Sequence, residues 1–375
     1  MIKDSFQKQK AMRYCVAMGY VPYMEAVVRF AADVAERPFD ITDVDVLGIR
    51  PASEMPERRV VFDCKTTAKL SGVGRAMWAA GLREMVDADE AFVILLKAAP
   101  EGHRLAAAGI KVRLFSEERF DQYAKAATIN YVEGVTYLDN LPAWEKLYEL
   151  GRNTKGLSSL ANFLTSEAPF ERDAPTGFRA LLSRLKQAEG EFDVTKPEHK
   201  MLYGVVISQL LVFLGAATRT FHDAFDPAME KAKFESALRN FIYGGREGFA
   251  LRQKLHQAIH QGREGEVTPF QLPGWDRFVE MQRSMLDAPF LAGAAALPVK
   301  DLAFREVCSP SELADRRILL EFTSSGRARQ FAMQANRYIG SLSRLLKECS
   351  DHYAALLSNL PDSPKAPKDE PSARA

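Results

Sequence analysis

Apolar residues change their spacing once along this chain, near residue 140, and that change limits the folds open to it. Before it, short runs carry a strand-like period. "FDITDVDVLGIR", 39–50, places Ile41, Val44 and Val46, then Leu47 and Ile49, as a strand with a slip near its end. The turn-rich "PASEMPE", 51–57, leads into "RRVVFDCKTT", 58–67, a strand expected to run antiparallel to its predecessor. "EAFVILLK", 90–97, is a continuous apolar run of the length of a fully buried strand, and "IKVRLFS", 110–116, alternates. Helical patterns lie between. "PYMEAVVRFAADVAE", 22–36, reads as a helix with Pro22 in its first turn. "GVGRAMWAAGLREMVDA", 72–88, sets Met77, Trp78, Leu82, Met85 and Val86 near one stripe, and "EGHRLAAAG", 101–109, is a short helix with a glycine stop. The order predicts an α/β layer fold, a mixed sheet flanked by helices.

After residue 140 the spacing is helical over 157–165, 175–190, 197–224, 227–263 and 325–358; "RRILLEF", 316–322, is the main strand candidate. A length of 375 residues suits two domains. The boundaries expected are a sheet domain over 1–140, a mostly α-helical C-terminal domain over 141–360, and a disordered tail over 361–375, rich in Pro, Ser and charge. "GVVISQLLVFLGAA", 204–217, is shorter than the roughly 20 apolar residues of a span, so a buried helix and no membrane role are expected. The charged start "MIKDSFQKQK" has no apolar run of a secretory leader. Cys15, Cys64, Cys308 and Cys349 show no CxxC spacing and read as reduced core thiols, which points to a cytoplasmic protein. With a formal net charge of +1, binding to nucleic acid would need a local patch.

The strand 58–66 ends in an unusual way. With a side-chain period of two, Asp63 and Lys65 share a face with Val61, while Phe62 and Cys64 point to a core. Opposite charges at the end of an apolar strand cost stability unless they are used. The preceding strand carries Asp43 and Asp45, also two apart. If the strands pair, an aspartate of one sits beside the end of the other, and the two carboxylates repel unless a cation intervenes. Mg²⁺ suits such a place, since it prefers oxygen ligands and takes one or two carboxylates with water and phosphate. Same-face geometry does not separate Asp43 from Asp45.

"DVDVLG", a turn, then "VVFDCKTT" resembles the PD-(D/E)XK nuclease superfamily, the restriction-endonuclease-like group. The resemblance covers about residues 20–125. It matches Asp45, Asp63 and Lys65 to the acid and the acid-x-Lys of that group, with Glu25 on the preceding helix as a supporting acid. It favours Asp45 over Asp43. Asp45 is not preceded by proline, and no Gln-x-x-x-Tyr follows the lysine, so the RecB-like subgroup is not implied. The resemblance implies a restriction-endonuclease-like fold and a Mg²⁺-dependent (or Mn²⁺-dependent) endonuclease. Asp45, Asp63 and the backbone carbonyl of Cys64 would hold the metal, and Lys65 would orient water or stabilise developing charge. The substrate implied is nucleic acid, DNA first, in phage defence, restriction, repair or mobile elements. The helical part would grip substrate, form a homodimer or dock a helicase or ATPase partner. The alternative is a catalytically inactive nuclease-fold module that binds nucleic acid or assembles a larger complex.

Each residue also has a plain reading. Asp63 and Lys65 could be an edge-strand charge pair, and Glu25 a solvated helix face. Thr66, Thr67, Lys69, Ser71 and Arg75 are candidate phosphate contacts or ordinary caps and surface charge. "SGVG", 71–74, could offer backbone N–H groups to an anion at a helix start, or be a plain loop; no Walker lysine follows it. "HQAIH", 256–260, has zinc-compatible spacing, but Gln257 stands where a zincin needs Glu and no third ligand is evident. "LLVFLGAATRTFHDAF", 210–225, reads as core or interface.

Overall fold

The computed structural model describes residues 2–30, 39–51, 57–66, 71–226, 228–260 and 270–360. Helix α1 (Ser5–Ala17) precedes three strands, β1 (Val21–Phe30), β2 (Phe39–Arg50) and β3 (Arg58–Lys65). Then α2 (Gly72–Met85), β4 (Glu90–Leu95), α3 (Glu101–Gly109), β5 (Val112–Ser116) and α4 (Glu117–Ala127) complete the sheet half. The strand order is β1-β2-β3-β4-β5. β1, β2 and β3 pair antiparallel, and β3, β4 and β5 pair parallel. Parallel neighbours need a crossover, which α2 and α3 supply. β3 is therefore the pivot of a mixed sheet, and its residues 59–64 are all buried.

One face of the sheet is closed by an aromatic cluster. Tyr14 of α1 and Phe120 of α4 pack edge-on against Phe62 of β3, which stacks on Phe92 of β4 at 4.9 Å. Phe62 and Cys64 point into this core, as the strand period requires.

Three expectations are corrected. The helix expected from Pro22 is a strand as far as it is described: Val21–Phe30 is β1, with Val21, Tyr23, Met24, Ala26 and Val28 buried, and 31–36 lie outside the described residues. Its apolar spacing imitates a helix because both strand faces are covered there, and β1 is an edge strand, where proline is tolerated. The preceding helix is α1, whose buried stripe pairs 7/8, 11/12 and 15/16 and begins with Gln7 and Lys8. Residues 316–322 lie in a helix, α13 (Glu312–Ser324), started by Ser311 accepting from the Ala314 N–H, with Glu312 and Asp315 in its first turn. On α2 the buried face is Ala76, Ala79 and Leu82, followed by Val86, while Met77, Trp78 and Met85 are exposed. Small residues let that helix lie close to β3 and β4.

The remainder is helical: α5 (Leu141–Asn153), α6 (Lys155–Asn162), α7 (Ala174–Ala188), α8 (Pro197–Ala224), α9 (Lys231–Ile242), α10 (Gly245–His260), α11 (Trp275–Leu286), α12 (Ala296–Arg305), α13, α14 (Gly326–Leu342) and α15 (Lys347–Ser358). Asn140, at the expected boundary, caps α5 by accepting from the Ala143 N–H. α8 is the one described helix long and apolar enough to cross a membrane, and 94% of its most apolar window is buried inside the protein. The hydrophobic core runs without a break from the sheet into these helices. The tail 361–375 lies outside the described residues.

Candidate metal and phosphodiester site

The register of the antiparallel strands aligns three acids. β1 pairs Met24 with Val46 and Ala26 with Val44, so Glu25 stands beside Asp45. β2 pairs Val46 with Phe62, and one step further places Asp45 beside Asp63. Glu25, Asp45 and Asp63 thus form a row across three neighbouring strands. Glu25 adopts φ 47°, a conformation that non-glycine residues rarely hold.

Basic side chains fill the gaps in this row. Lys8 of α1 donates from Nζ to Glu25 Oε1 at 2.9 Å and lies 3.0 Å from Asp45 Oδ1. Lys65 donates to Asp45 Oδ2 at 2.8 Å and lies 3.6 Å from Asp63 Oδ1. Arg75 of α2 approaches the same Asp63 oxygen at 3.5 Å. The order along the row is Glu25, Lys8, Asp45, Lys65, Asp63, Arg75, with charge alternating at each step. The backbone N–H of Cys64 also donates to Asp45 Oδ2 at 2.8 Å, which fixes that carboxylate. Asp4 caps the arrangement from outside: its Oδ1 accepts from the Thr66 N–H and hydroxyl, and its Oδ2 lies 4.0 Å from Lys65.

Burial sets the electrostatics. Asp63 is pushed up to about 6, mainly by desolvation, with Asp45 adding to the rise and Lys65 and Arg75 opposing it. Its Oδ2 is buried with no hydrogen-bond partner. Burial would lower the Lys8 ammonium, but Asp45 and Glu25 outweigh it and its pKa is raised. Lys65 is raised by the same balance, with Asp45 the leading partner. Burial works against the Asp4 carboxyl, yet the Thr66 donors hold it below the usual range. The Cys64 thiol is driven well up by burial, so it is not a thiolate ligand.

A cavity of about 420 Å³ opens on this row, lined by Lys8, Glu25, Asp43, Asp45, Lys65 and Arg152 among others. Asp63 lies behind Lys65, outside that lining. The two candidate aspartates of β2 are now distinct: Asp43 is exposed, whereas Asp45 is buried at the centre of the row.

The structure brings Asp45, Asp63 and Lys65 together, with Glu25 joined through Lys8 from a strand instead of a helix. It gives three phosphate candidates other surroundings. Both Thr66 donors are committed to Asp4, Arg75 faces Asp63, and Lys69 and Thr67 lie outside the described residues. Ser71 caps α2 by accepting from the Gly74 N–H. At Cys64 the group seen against an acid is the N–H. In α10, the His256 ring lies tilted against Phe270, 5.6 Å between centres. Among the described residues no group of three or more His, Cys, Asp or Glu is arranged as a ready metal cage. Sequence reasoning missed Lys8 and Asp4. The signal for Lys8 was its place on the buried stripe of α1.

The residues suit a divalent cation nonetheless. Two carboxylates from adjacent strands converge on one ammonium, and Asp63 Oδ2 offers a buried, unpartnered oxygen beside it. A more apolar cavity of about 540 Å³ between α12, α13 and α15 lacks this chemistry, because its Arg305 and Asp315 already pair. No family model matches the chain, and neither curated proteins nor solved structures show a match.

Proposed function

We propose that this chain is a divalent-metal-dependent nuclease of the PD-(D/E)XK type, an endonuclease acting on DNA. The observation that carries the reading is the row itself. An acid on β2 and an acid-x-Lys on β3 meet around a single cationic point, with one Asp63 oxygen left over.

In this reading Asp45 and Asp63 would hold Mg²⁺ or Mn²⁺, which would supply a water of lowered pKa and charge against the scissile phosphate. Lys65 reaches the site on a part-exposed side chain, so it can swing from Asp45 toward phosphate and stabilise negative charge as it develops. Lys8 is 2% exposed and stays on Asp45 Oδ1, which keeps that carboxylate aimed while its other oxygen changes partner. Glu25 acts through Lys8. The same arrangement also supports a second reading, a catalytically inactive nucleic-acid-binding module. Glu25, Asp45 and Asp63 each already face a base, so these three acids are paired without any metal.

Cleavage of plasmid, single-stranded DNA and RNA with Mg²⁺ and Mn²⁺ separates the two. Asp63→Asn and Lys65→Met are each expected to lower the rate by about 10²- to 10⁴-fold. Wild-type binding to nucleic acid with no variant-sensitive cleavage under either metal would favour the inactive module.

A further inference from the structure

Lys65 belongs to two cavities. One is the acid-lined cavity above. The other, of about 520 Å³, lies between the ends of β3 and β4 and the starts of α2 and α3. Their linings differ in sign. The first sets five carboxylates, Asp4, Glu25, Asp43, Asp45 and Glu145, against four cations, Lys3, Lys8, Lys65 and Arg152, while no carboxylate is among the described lining residues of the second. Its charged groups are Lys65 and Lys97, with His103 and Ser71 beside them, and its wall is apolar through Leu95, Leu96 and Pro100. Lys97 is exposed and forms no ion pair among the described residues. His103 Nδ1 is buried and has no hydrogen-bond partner there. Cations with an unused ring nitrogen over an apolar wall suit a ligand that is anionic at one end and flat and apolar at the other. The volume lies within the roughly 300–1,000 Å³ typical of small-ligand sites.

We propose that this second cavity receives one nucleotide of a single-stranded nucleic acid, adjoining the phosphate held at Lys65. This rests on the nuclease reading and adds the substrate class. A base seated in a cavity has left its stack, which an intact duplex resists by a few kcal/mol and a single strand does not. Leu95, Leu96 and Pro100 meet the sugar and base, Lys97 meets the flanking phosphate, and His103 Nδ1 meets a base or sugar polar atom. Acid on the wall of the first cavity turns the chain of phosphates toward the second.

The test uses the full chain in two arms. Ligand-observed NMR in EDTA compares thymidine 5′-monophosphate with inorganic phosphate on wild type, Ala98→Trp and His103→Ala. Ala98 is an exposed lining residue, so tryptophan there fills the cavity without entering the core. Wild type is expected to bind the nucleotide at least about tenfold more tightly than phosphate, and each variant to lose about tenfold, with unchanged melting curves. The second arm cuts one labelled oligonucleotide as a single strand and as a blunt duplex. The single strand is expected to be cut about tenfold faster, with the preference lost in Ala98→Trp. Equal nucleotide binding by wild type and Ala98→Trp, or equal binding of nucleotide and phosphate, overturns the proposal. If nothing is cut but nucleotide binding remains sensitive to Ala98→Trp, the subsite stands and hydrolysis fails. If cutting depends on Asp63 yet ignores Ala98→Trp and strandedness, hydrolysis stands and the subsite fails.

Discussion

Lys8 holds two carboxylates from two strands with one buried ammonium, so its removal leaves charge without compensation. Lys8→Met is expected to cost roughly 2–4 kcal/mol, read from urea midpoints, and Asp45→Asn in the same chain should restore part of that loss. An unchanged midpoint would mean the pair is solvated. Asp63 behaves in the opposite sense. Its folded pKa of about 6 stands above the ordinary 3.8, so between those values the folded state keeps a proton that the unfolded state has released. Wild-type stability therefore falls as pH rises through that window, then levels. In EDTA, Asp63→Asn should gain on wild type from pH 4 to 6, reaching about 2–3 kcal/mol at neutral pH. A difference that is flat with pH would show an acid ionised throughout. At this scale Asp45, Asp63 and Lys65 were legible because a strand's period of two dictates which side chains share a face. Lys8 and Asp4 were not, since they come from a helix that only tertiary packing brings to the acids.

The elements that build the site approach one another closely. α1 crosses β2 at Gly48, where an added Cβ would fall 2.8 Å from both Cys15 Sγ and Val60 Cγ1. Gly48→Ala is expected to destabilise by about 1–3 kcal/mol in thermal melts, and Cys15→Ala to relieve part of that. If the single substitution is neutral, α1 can move off the sheet, and with it Lys8. Strands β2 to β5 were readable from local spacing. β1 was not, because an edge strand buried on both faces at Val21, Tyr23, Met24 and Ala26 loses the alternation that marks a strand. α2 lies where its pattern places it but is turned about its axis: its bulky Met77 and Trp78 mark the solvent side, and Ala76, Ala79 and Leu82 fit against the sheet.

Across the whole molecule, polar ties join the helical half to strands β1 and β3. Lys300 of α12 donates to the Pro22 carbonyl at 2.7 Å and sits 3.5 Å from the centre of the Tyr23 ring. The Tyr23 hydroxyl donates to Gln209 of α8, and Arg59 of β3 donates to the Pro169 carbonyl. Full burial drives the Lys300 ammonium well down from its usual value, against the pull of that ring and carbonyl. The unfolded chain then binds a proton that the folded protein has lost, so stability rises with pH up to about 10, the ordinary lysine value. Lys300→Met should abolish that rise below about pH 10 in denaturant titrations. Parallel pH curves for the two proteins would show that the buried amine keeps its proton. None of these ties is visible as a local pattern, because each joins residues more than 100 positions apart.

The charge inventory around Lys65 has a thermodynamic consequence. Four carboxylates, Asp4, Glu25, Asp45 and Asp63, face three cations, Lys8, Lys65 and Arg75, so the ionised cluster carries one excess negative charge. On the proposed nuclease reading, a divalent ion taken up there would reverse its sign, so that ion and nucleic acid would reinforce each other's affinity by the same factor.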